Sequence, residues 1–514
     1  MRLNLWGTTS SFEIENDHDF DLKINDQFID TLIWDGSIEK ILEISLPSGI
    51  LRPGQNEILL DNTPPGAAVV DIMQVNWLEV DYQAPPTAVN DQLLLHPGSG
   101  TVTLTQFSAA PLIFDITDPA QPHLSTGWQT EGEKVVVTLS DQTELAAIGP
   151  NGFLSTNAII PLRQSDWRNT ENGADFVIVT SDQLAPALAP LVAARQADGL
   201  TAVVIPIAEI YDEFGYGEAS PDSLRAFYQF ALANWQTPPQ YTLLVGDATT
   251  DYRNYLGKGS ANNIPPFMIP VQFGGETVSD SRLVDVDEDG RPDLAIGRWP
   301  VSNAADVKAL IERTLAYEGG TASPNSLFAT DSTEAQFADT AARLQEQSQF
   351  AADATHLLDG PTAQEVAGQV NEGVWLATYI GHGSVAQLGK EEVFSNDYVA
   401  QINPSQPPIW VQLTCLSGLF AHTELTSLSE EMLLHDSGPV EIIGATSLTL
   451  PNDQEPFALN LFKNLQDPAI TRIGDAFTRA KQEMEIGGNS GLQEISDTFV
   501  LFGDPSARIV RPTP

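Results

Sequence analysis

Cysteine is almost missing: Cys415 is the single thiol in 514 residues. No internal disulfide can form, and a zinc site built on several thiolates is excluded. The HExxH pattern is missing too, which removes the common zinc hydrolase signature. Basic residues are scarce, with 24 Lys+Arg against 69 Asp+Glu and a formal net charge of −45. Such a field repels phosphate backbones and anionic headgroups, so neither nucleic acid nor membrane is an expected partner. A solvated acidic surface is the simplest account of the excess; calcium or a basic protein substrate would also draw on it. No run of about 18 apolar residues is present to cross a bilayer. The opening MRLNLWGTTSSFEIENDHDF is too polar for a signal peptide. A chain that begins this close to a strand is expected to be an excised part of a longer exported polypeptide, and the chain as given reads as a soluble monomer.

Hydrophobic residues make up 42% of the chain and aromatics 8%, enough to fill the cores of about two to four domains. Residues 1–83 read as a β-sandwich or jelly-roll-like accessory domain. Its segments FEIEN, FDLKIN, EKILEISLP, NEILLD and VNWLEVDY alternate apolar and polar residues between Gly, Pro, Asn and Asp. After the break QAPPTAVND, residues 84–172 carry TVTLTQF, PLIFDIT, KVVVTLS and ELAAIG, a second small β unit.

From about residue 173 the pattern changes to short continuous apolar runs, the mark of strands covered on both faces. They are DFVIVTS, TAVVIPI, YTLLVGD, DLAIGRW, SLFATD, THLLD, WLATYIGH, IWVQLTC and EIIGATS. Helical patterns lie between many of them, such as SPDSLRAFYQFALANW and SNAADVKALIERTLAYE, the latter with Ser302 or Asn303 as cap. This predicts an α/β domain with mainly parallel sheets in two subdomains, 173–320 and 321–514, divided around GGTASPN. Functional groups belong at the C-terminal ends of such strands, where the sequence puts Asp247, Asp331, His382 and Cys415.

Two of those ends form a constellation. One strand runs into Gly381-His382-Gly383 and the next into Cys415, separated by the short helical stretch NDYVAQIN. Consecutive strands with a right-handed crossover lie side by side or nearly so. By itself the lone thiol is either a buried spectator or a nucleophile. A nearby imidazole favours the second reading, since it takes the thiol proton, stabilises the thiolate and later protonates a leaving amine. The amides of Gly383 and Cys415 would form an oxyanion hole. His422 and His435 follow the cysteine on loop or helix, and His422, seven residues on, is too local to be its strand-end partner.

These motifs, with YTLLVGDATTDYRNY, SDSRLVDVDEDGRPDLAIGRWPV, LTCLSG, EIIGATS and DTFVLFGDPSARI, resemble the gingipain family within the caspase–legumain group of cysteine peptidases. The likeness runs in the same order over about 175–510. It implies an endopeptidase with His382 and Cys415 as dyad and Gly383 in the oxyanion hole. It also implies a carboxylate at the end of the first strand of the catalytic subdomain, Asp331, orienting the histidine. Family members that cleave after Arg or Lys use an acidic pocket group, for which Asp453, Glu334 and Asp339 are the candidates here. The stretch LTLPNDQEP lacks the tryptophan found in some members. The family also implies secretion or cell-surface location, and no cofactor for catalysis. A sortase-like transpeptidase of the same family is the nearest alternative, and a non-catalytic secreted adhesion module is the alternative from another class.

The stretch 285-DVDEDGRPD-293 carries one further pattern. Asp285, Asp287, Asp289 and Asp293, with Gly290 for the turn, open like a calcium loop. The later EF-hand ligands are missing, so the expectation is either a structural calcium site or an acidic turn feeding the strand DLAIGR.

Overall fold

The structure, a computed structural model, describes residues 1–9, 16–62, 71–126, 128–131, 134–156, 159, 161–259, 261–348 and 350–512. Of the expected strand FEIEN only Asn16 is among them. Two compact units emerge: one comprises 1–5, 41–56 and 75–161, the other 6–40, 57–74 and 162–514. The segment expected to be one accessory domain, 1–83, is thus shared between them.

The named sheets of the smaller unit are antiparallel among the described residues. Its four-stranded sheet pairs Leu145–Ile148 with both Gln92–Leu95 and Leu112–Asp115, and a second sheet pairs Lys134–Leu139 with Gly100–Leu104. Inward residues Leu104, Ile113, Val135, Val137 and Ala147 build its core, as period-2 alternation requires.

The larger unit contains a small antiparallel sheet of Gln27–Trp34, His18–Ile24 and Ile58–Asn62. There His18 is buried, 2.6 Å from Asp71 and stacked at 4.5 Å on Trp34. The rest is a layered α/β fold. Its strands are β1 (Phe176–Thr180), β2 (Ala202–Pro206), β3 (Tyr241–Val245), β4 (Ala295–Trp299), β5 (Ser326–Thr330), β6 (Thr355–Asp359), β7 (Leu376–Ile380), β8 (Ile409–Leu413), β9 (Glu441–Ala445) and β10 (Phe499–Phe502). They form one sheet in the order β2-β1-β3-β4-β10-β9-β8-β7-β5-β6. All residues of β1, β3, β4, β5, β7, β8, β9 and β10 are buried, which is why these segments read as unbroken apolar runs.

The two expected subdomains are halves of this single sheet. Strand β10 pairs parallel with β4 through Arg298↔Phe502 and antiparallel with β9 through Ile442↔Phe502. The halves therefore run in opposite senses, and the segment 319–325 is only a connection within the unit. The C-terminal motif is anchored by charge: Asp504, just past β10, lies 2.7 Å from the fully buried guanidinium of Arg195. Among the helices, α1 (Pro221–Asn234) starts on Ser220 and α2 (Ala304–Glu318) on Asn303, each side chain accepting from backbone N–H groups of the first turn. Later helices include α3 (Ala335–Gln347), α4 (Ala363–Gly373), α5 (Leu428–Leu434), α6 (Pro451–Gln466), α7 (Ile473–Gln482) and α8 (Ser490–Thr498). Among the described residues no helix is long and apolar enough to cross a membrane.

Candidate active site

Strands β5, β7 and β8 are parallel neighbours in register, Thr330↔Ile380 and Ile380↔Leu413. The ladder extends past their ends through Asp331 N–H to Ile380 O (3.1 Å) and Gly381 N–H to Leu413 O (3.2 Å). Asp331, His382 and Cys415 therefore emerge on one edge. Glycine is needed at 381, because an added Cβ would meet the Asp331 Cβ and lie 2.5 Å from the Tyr379 hydroxyl. It is needed at 383 as well, where a Cβ would strike Thr414 Oγ1 and stand 3.1 Å from the Cys415 carbonyl oxygen. The GHG loop thus lies directly on the Thr414 side chain and the Cys415 carbonyl.

The His382 carbonyl accepts from the Tyr379 hydroxyl and the Gly389 N–H, both at 2.7 Å. Its ring stands edge-on to Phe337 at 5.3 Å, and Nε2 lies 2.9 Å from Glu334 Oε1. Glu334 is the residue before α3. The carboxylate on the imidazole is therefore Glu334, which the sequence placed in the substrate pocket. Asp331, expected in that role, is spent elsewhere: it accepts from the Thr333 amide (2.9 Å) and hydroxyl (2.7 Å) and from the Lys390 amide (3.4 Å). Burial pushes the Asp331 carboxyl up, but these hydrogen bonds and the nearby His382 outweigh it and hold the group below the usual carboxylate range.

Cys415 is half-buried and begins a sharp turn. Leu416 adopts φ 59°, a left-handed conformation that costs a non-glycine residue about 1–2 kcal/mol. The turn is held against β9 by Leu416 N–H to Ser447 O (3.0 Å) and Gly418 N–H to Ala445 O (2.9 Å). The thiol faces Thr449, accepting from its N–H at 3.4 Å and donating to its carbonyl at 3.5 Å. Thr449 is itself fixed by Gln454 Nε2 at 2.7 Å. Thr449 and Phe337 were not singled out from the sequence, since neither carries a motif. In the Gly383↔Leu388 bridge the bonds are Gly389 N–H to His382 O and Ser384 N–H to Gln387 O, so the Gly383 amide stays outside the ladder.

The other expected pocket acids make contacts of their own. Asp339 is exposed on α3, its charge acting on Arg343, which pairs with Glu455. Asp453, in the first turn of α6, packs its carboxylate on Gly491, and burial pushes it up. Asp247 closes β3 in the opposite half of the sheet; burial raises it to about 6. His422 and His435 accept through Nδ1 from nearby backbone amides, consistent with their local role. In the acidic turn, carboxylate oxygens of Asp285, Asp287 and Asp289 lie within 4.8 Å of one another. Asp293 stands outside that trio and caps the Val286 N–H at 2.8 Å instead.

The continuous α/β sheet with its histidine and cysteine on neighbouring strand ends defines an architecture of the caspase-like class. The sequence matches the profile of Peptidase family C25 over residues 169–510, and the chain belongs to that family. It is 24% identical over 330 residues to Gingipain R2 of Porphyromonas gingivalis, covering 57% of this chain and 42% of that protein. Against Gingipain R1 of the same organism the identity is again 24%, over 57% of this chain and 31% of the relative. The chain thus spans less than half the length of these relatives. The crystal structure of the Arg specific cysteine proteinase gingipain R superposes with a TM-score of 0.54 at 21% identity, covering 68% of this chain and 80% of that one. Dimeric latent PorU from Porphyromonas gingivalis gives 0.55 at 15% identity over 100% of this chain and 48% of its own. At these identities the structural likeness is one of fold.

Proposed function

We propose that the chain is a cysteine endopeptidase acting on protein or peptide substrates, with Cys415 as nucleophile and His382 as base. The observation that carries this reading is the packing of Gly383 on the Cys415 backbone, which joins the two strand ends. A carboxylate only accepts hydrogen bonds, so the ring donates Nε2–H to Glu334 and keeps its lone pair on Nδ1. Nδ1 takes the thiol proton as Sγ attacks the peptide carbonyl. The tetrahedral oxyanion is received by the amides of Gly383 and Cys415. Collapse breaks the C–N bond, and Nδ1–H protonates the leaving amine. Water then attacks the thioester, giving its proton to Nδ1 and releasing acid and free thiol. Glu334 holds the ring throughout.

Labelling with a thiol-reactive probe tests the dyad: fast labelling of Cys415 that slows in His382→Ala supports it, and equal slow labelling in both proteins overturns it. A mixed peptide library with Cys415→Ala as blank then reads cleavage and preference. Of the three expected pocket acids, Asp453 sits on the segment joined to Cys415 through Gln454 and Thr449. Preference for a basic residue before the scissile bond is assigned to it, and Asp453→Asn is expected to weaken cleavage after Arg and Lys selectively. Export to the cell surface belongs to the same reading.

The acidic turn is assigned to calcium. Asp285 is 1% exposed, and its Oδ1 has no hydrogen-bond partner among the described residues, while Gly290 at φ 85° supplies the turn. An oxygen-seeking divalent cation suits such a carboxylate set. Calcium chloride, but not the same concentration of magnesium chloride, should raise the melting midpoint, and the rise should vanish in Asp287→Asn/Asp289→Asn. Equal response of both proteins would remove the site.

A further inference from the structure

The carbonyl of His382 and the N–H of Gly383 belong to one peptide unit, and among the described residues no peptide bond is cis. In a planar trans unit these two groups point in opposite directions. Whatever fixes the carbonyl therefore fixes the amide as well. That carbonyl is held by two donors, the Tyr379 hydroxyl and the Gly389 N–H, each at 2.7 Å. The Gly383 N–H consequently leaves the peptide on the side away from both, and it takes no bond in the short ladder that Gly383 forms with Leu388.

Both donors are in place without a substrate. Tyr379 lies inside β7 and is 1% exposed. Residues two apart on a strand share a face, so the ring stands on the face of residue 381. Its hydroxyl reaches the His382 carbonyl through space left by Gly381, where an added Cβ would lie 2.5 Å from the phenol oxygen. Burial pushes the phenol far above its ordinary value, and the charge of Asp331 adds to the rise, so the group stays protonated and donates. Gly389 adopts φ 78°, and a Cβ there would lie 2.7 Å from Val393; the tight turn delivers its amide to the same oxygen. The proton transfers between His382 and Cys415 make no use of Tyr379.

We infer that Tyr379 is a positioning residue for the oxyanion hole: by holding the His382 carbonyl it aims the Gly383 amide at the developing oxyanion. It acts through the peptide plane and not on the reacting atoms. A donor set in advance stabilises the charge without reorganisation at the moment it forms, and a small displacement of such a group is costly.

The inference rests on the cysteine peptidase reading, and its test separates the two. Tyr379→Phe keeps the ring in β7 and leaves the carbonyl bonded to Gly389. With a reporter peptide chosen from the library, kcat should fall about tenfold or more while KM stays within about twofold. Alkylation of Cys415 by iodoacetamide reads the dyad without the hole: Sγ displaces iodide from carbon, the thiol proton passes to His382, and no charge develops on a carbonyl oxygen. Its rate and pH profile should match those of the unmodified protein, which also shows that the variant is folded. A peptide aldehyde adds Sγ to its carbonyl carbon, and the resulting oxygen, which takes the thiol proton, enters the hole; it should bind about tenfold more weakly to the variant. An unchanged kcat overturns the inference. Alkylation that slows in step with kcat overturns it too, because Tyr379 would then be holding the imidazole or the strand. Absence of Cys415-dependent cleavage by the unmodified protein overturns the peptidase reading and the positioning role with it.

Discussion

Three residues separate Asp331 from Glu334, and the backbone between them decides which carboxylate meets His382. At the end of β5 the Asp331 side chain turns onto Thr333 and Lys390, while Glu334 projects from the start of α3 onto the imidazole. Glu334→Gln should therefore lower kcat/KM about tenfold or more, since the ring loses its charged partner, and leave the urea midpoint nearly unchanged, because the pair is solvent-exposed. Asp331→Ala should do the reverse in emphasis. It strands the donors of Thr333 and Lys390 and should cost about 1–3 kcal/mol of stability in urea denaturation. If Asp331→Ala alone removed activity with stability intact, the assignment of the orienting carboxylate would be wrong. The sequence shows both acids at the right place along the chain; their rotamers and the Phe337 edge depend on packing that no local pattern records.

Helix α5 follows the cysteine loop and starts on a reciprocal cap, with Ser427 accepting from Glu430 N–H and Glu430 accepting from Ser427 N–H. Glu430 is buried, and that burial raises its carboxyl to about 8 against the hydrogen bonds from Ser427, with Asp247 adding to the rise. The folded protein thus holds a proton there that the unfolded chain, titrating near 4.5, releases. The resulting stability is fully present below pH 4.5 and is lost as pH rises through about 8. The urea midpoint should fall across that window, and Glu430→Gln, which keeps the cap acceptor without the proton, should flatten the fall. An unchanged slope in the variant would show that another group titrates. Helices α1 and α2 were legible because their caps, Ser220 and Asn303, and their apolar faces are local. The cap of α5 is equally local, whereas the burial that shifts Glu430 comes from elements distant in the chain.

For the whole molecule the net charge of −45 sets a self-repulsion that folding must overcome. Raising ionic strength from about 0.01 M to about 0.15 M shortens the screening length from roughly 30 Å to roughly 8 Å. The melting midpoint should therefore rise with sodium chloride even without calcium; a flat response would mean that the charges are already locally compensated. At this scale the sequence by itself determined the class of the fold, because strands buried on both faces must be continuous apolar runs. All nine runs read as strands are strands of the large sheet. It also determined that His382 and Cys415 end neighbouring strands, since chain order and crossover handedness leave few other places. Only the tertiary structure decided that Phe499–Phe502 inserts between the two halves, parallel to one and antiparallel to the other, that residues 1–83 divide between two units, and that Glu334 rather than Asp331 meets the imidazole. Those choices are made by pairing and side-chain packing between segments far apart in the chain, where periodicity and local propensity carry no information.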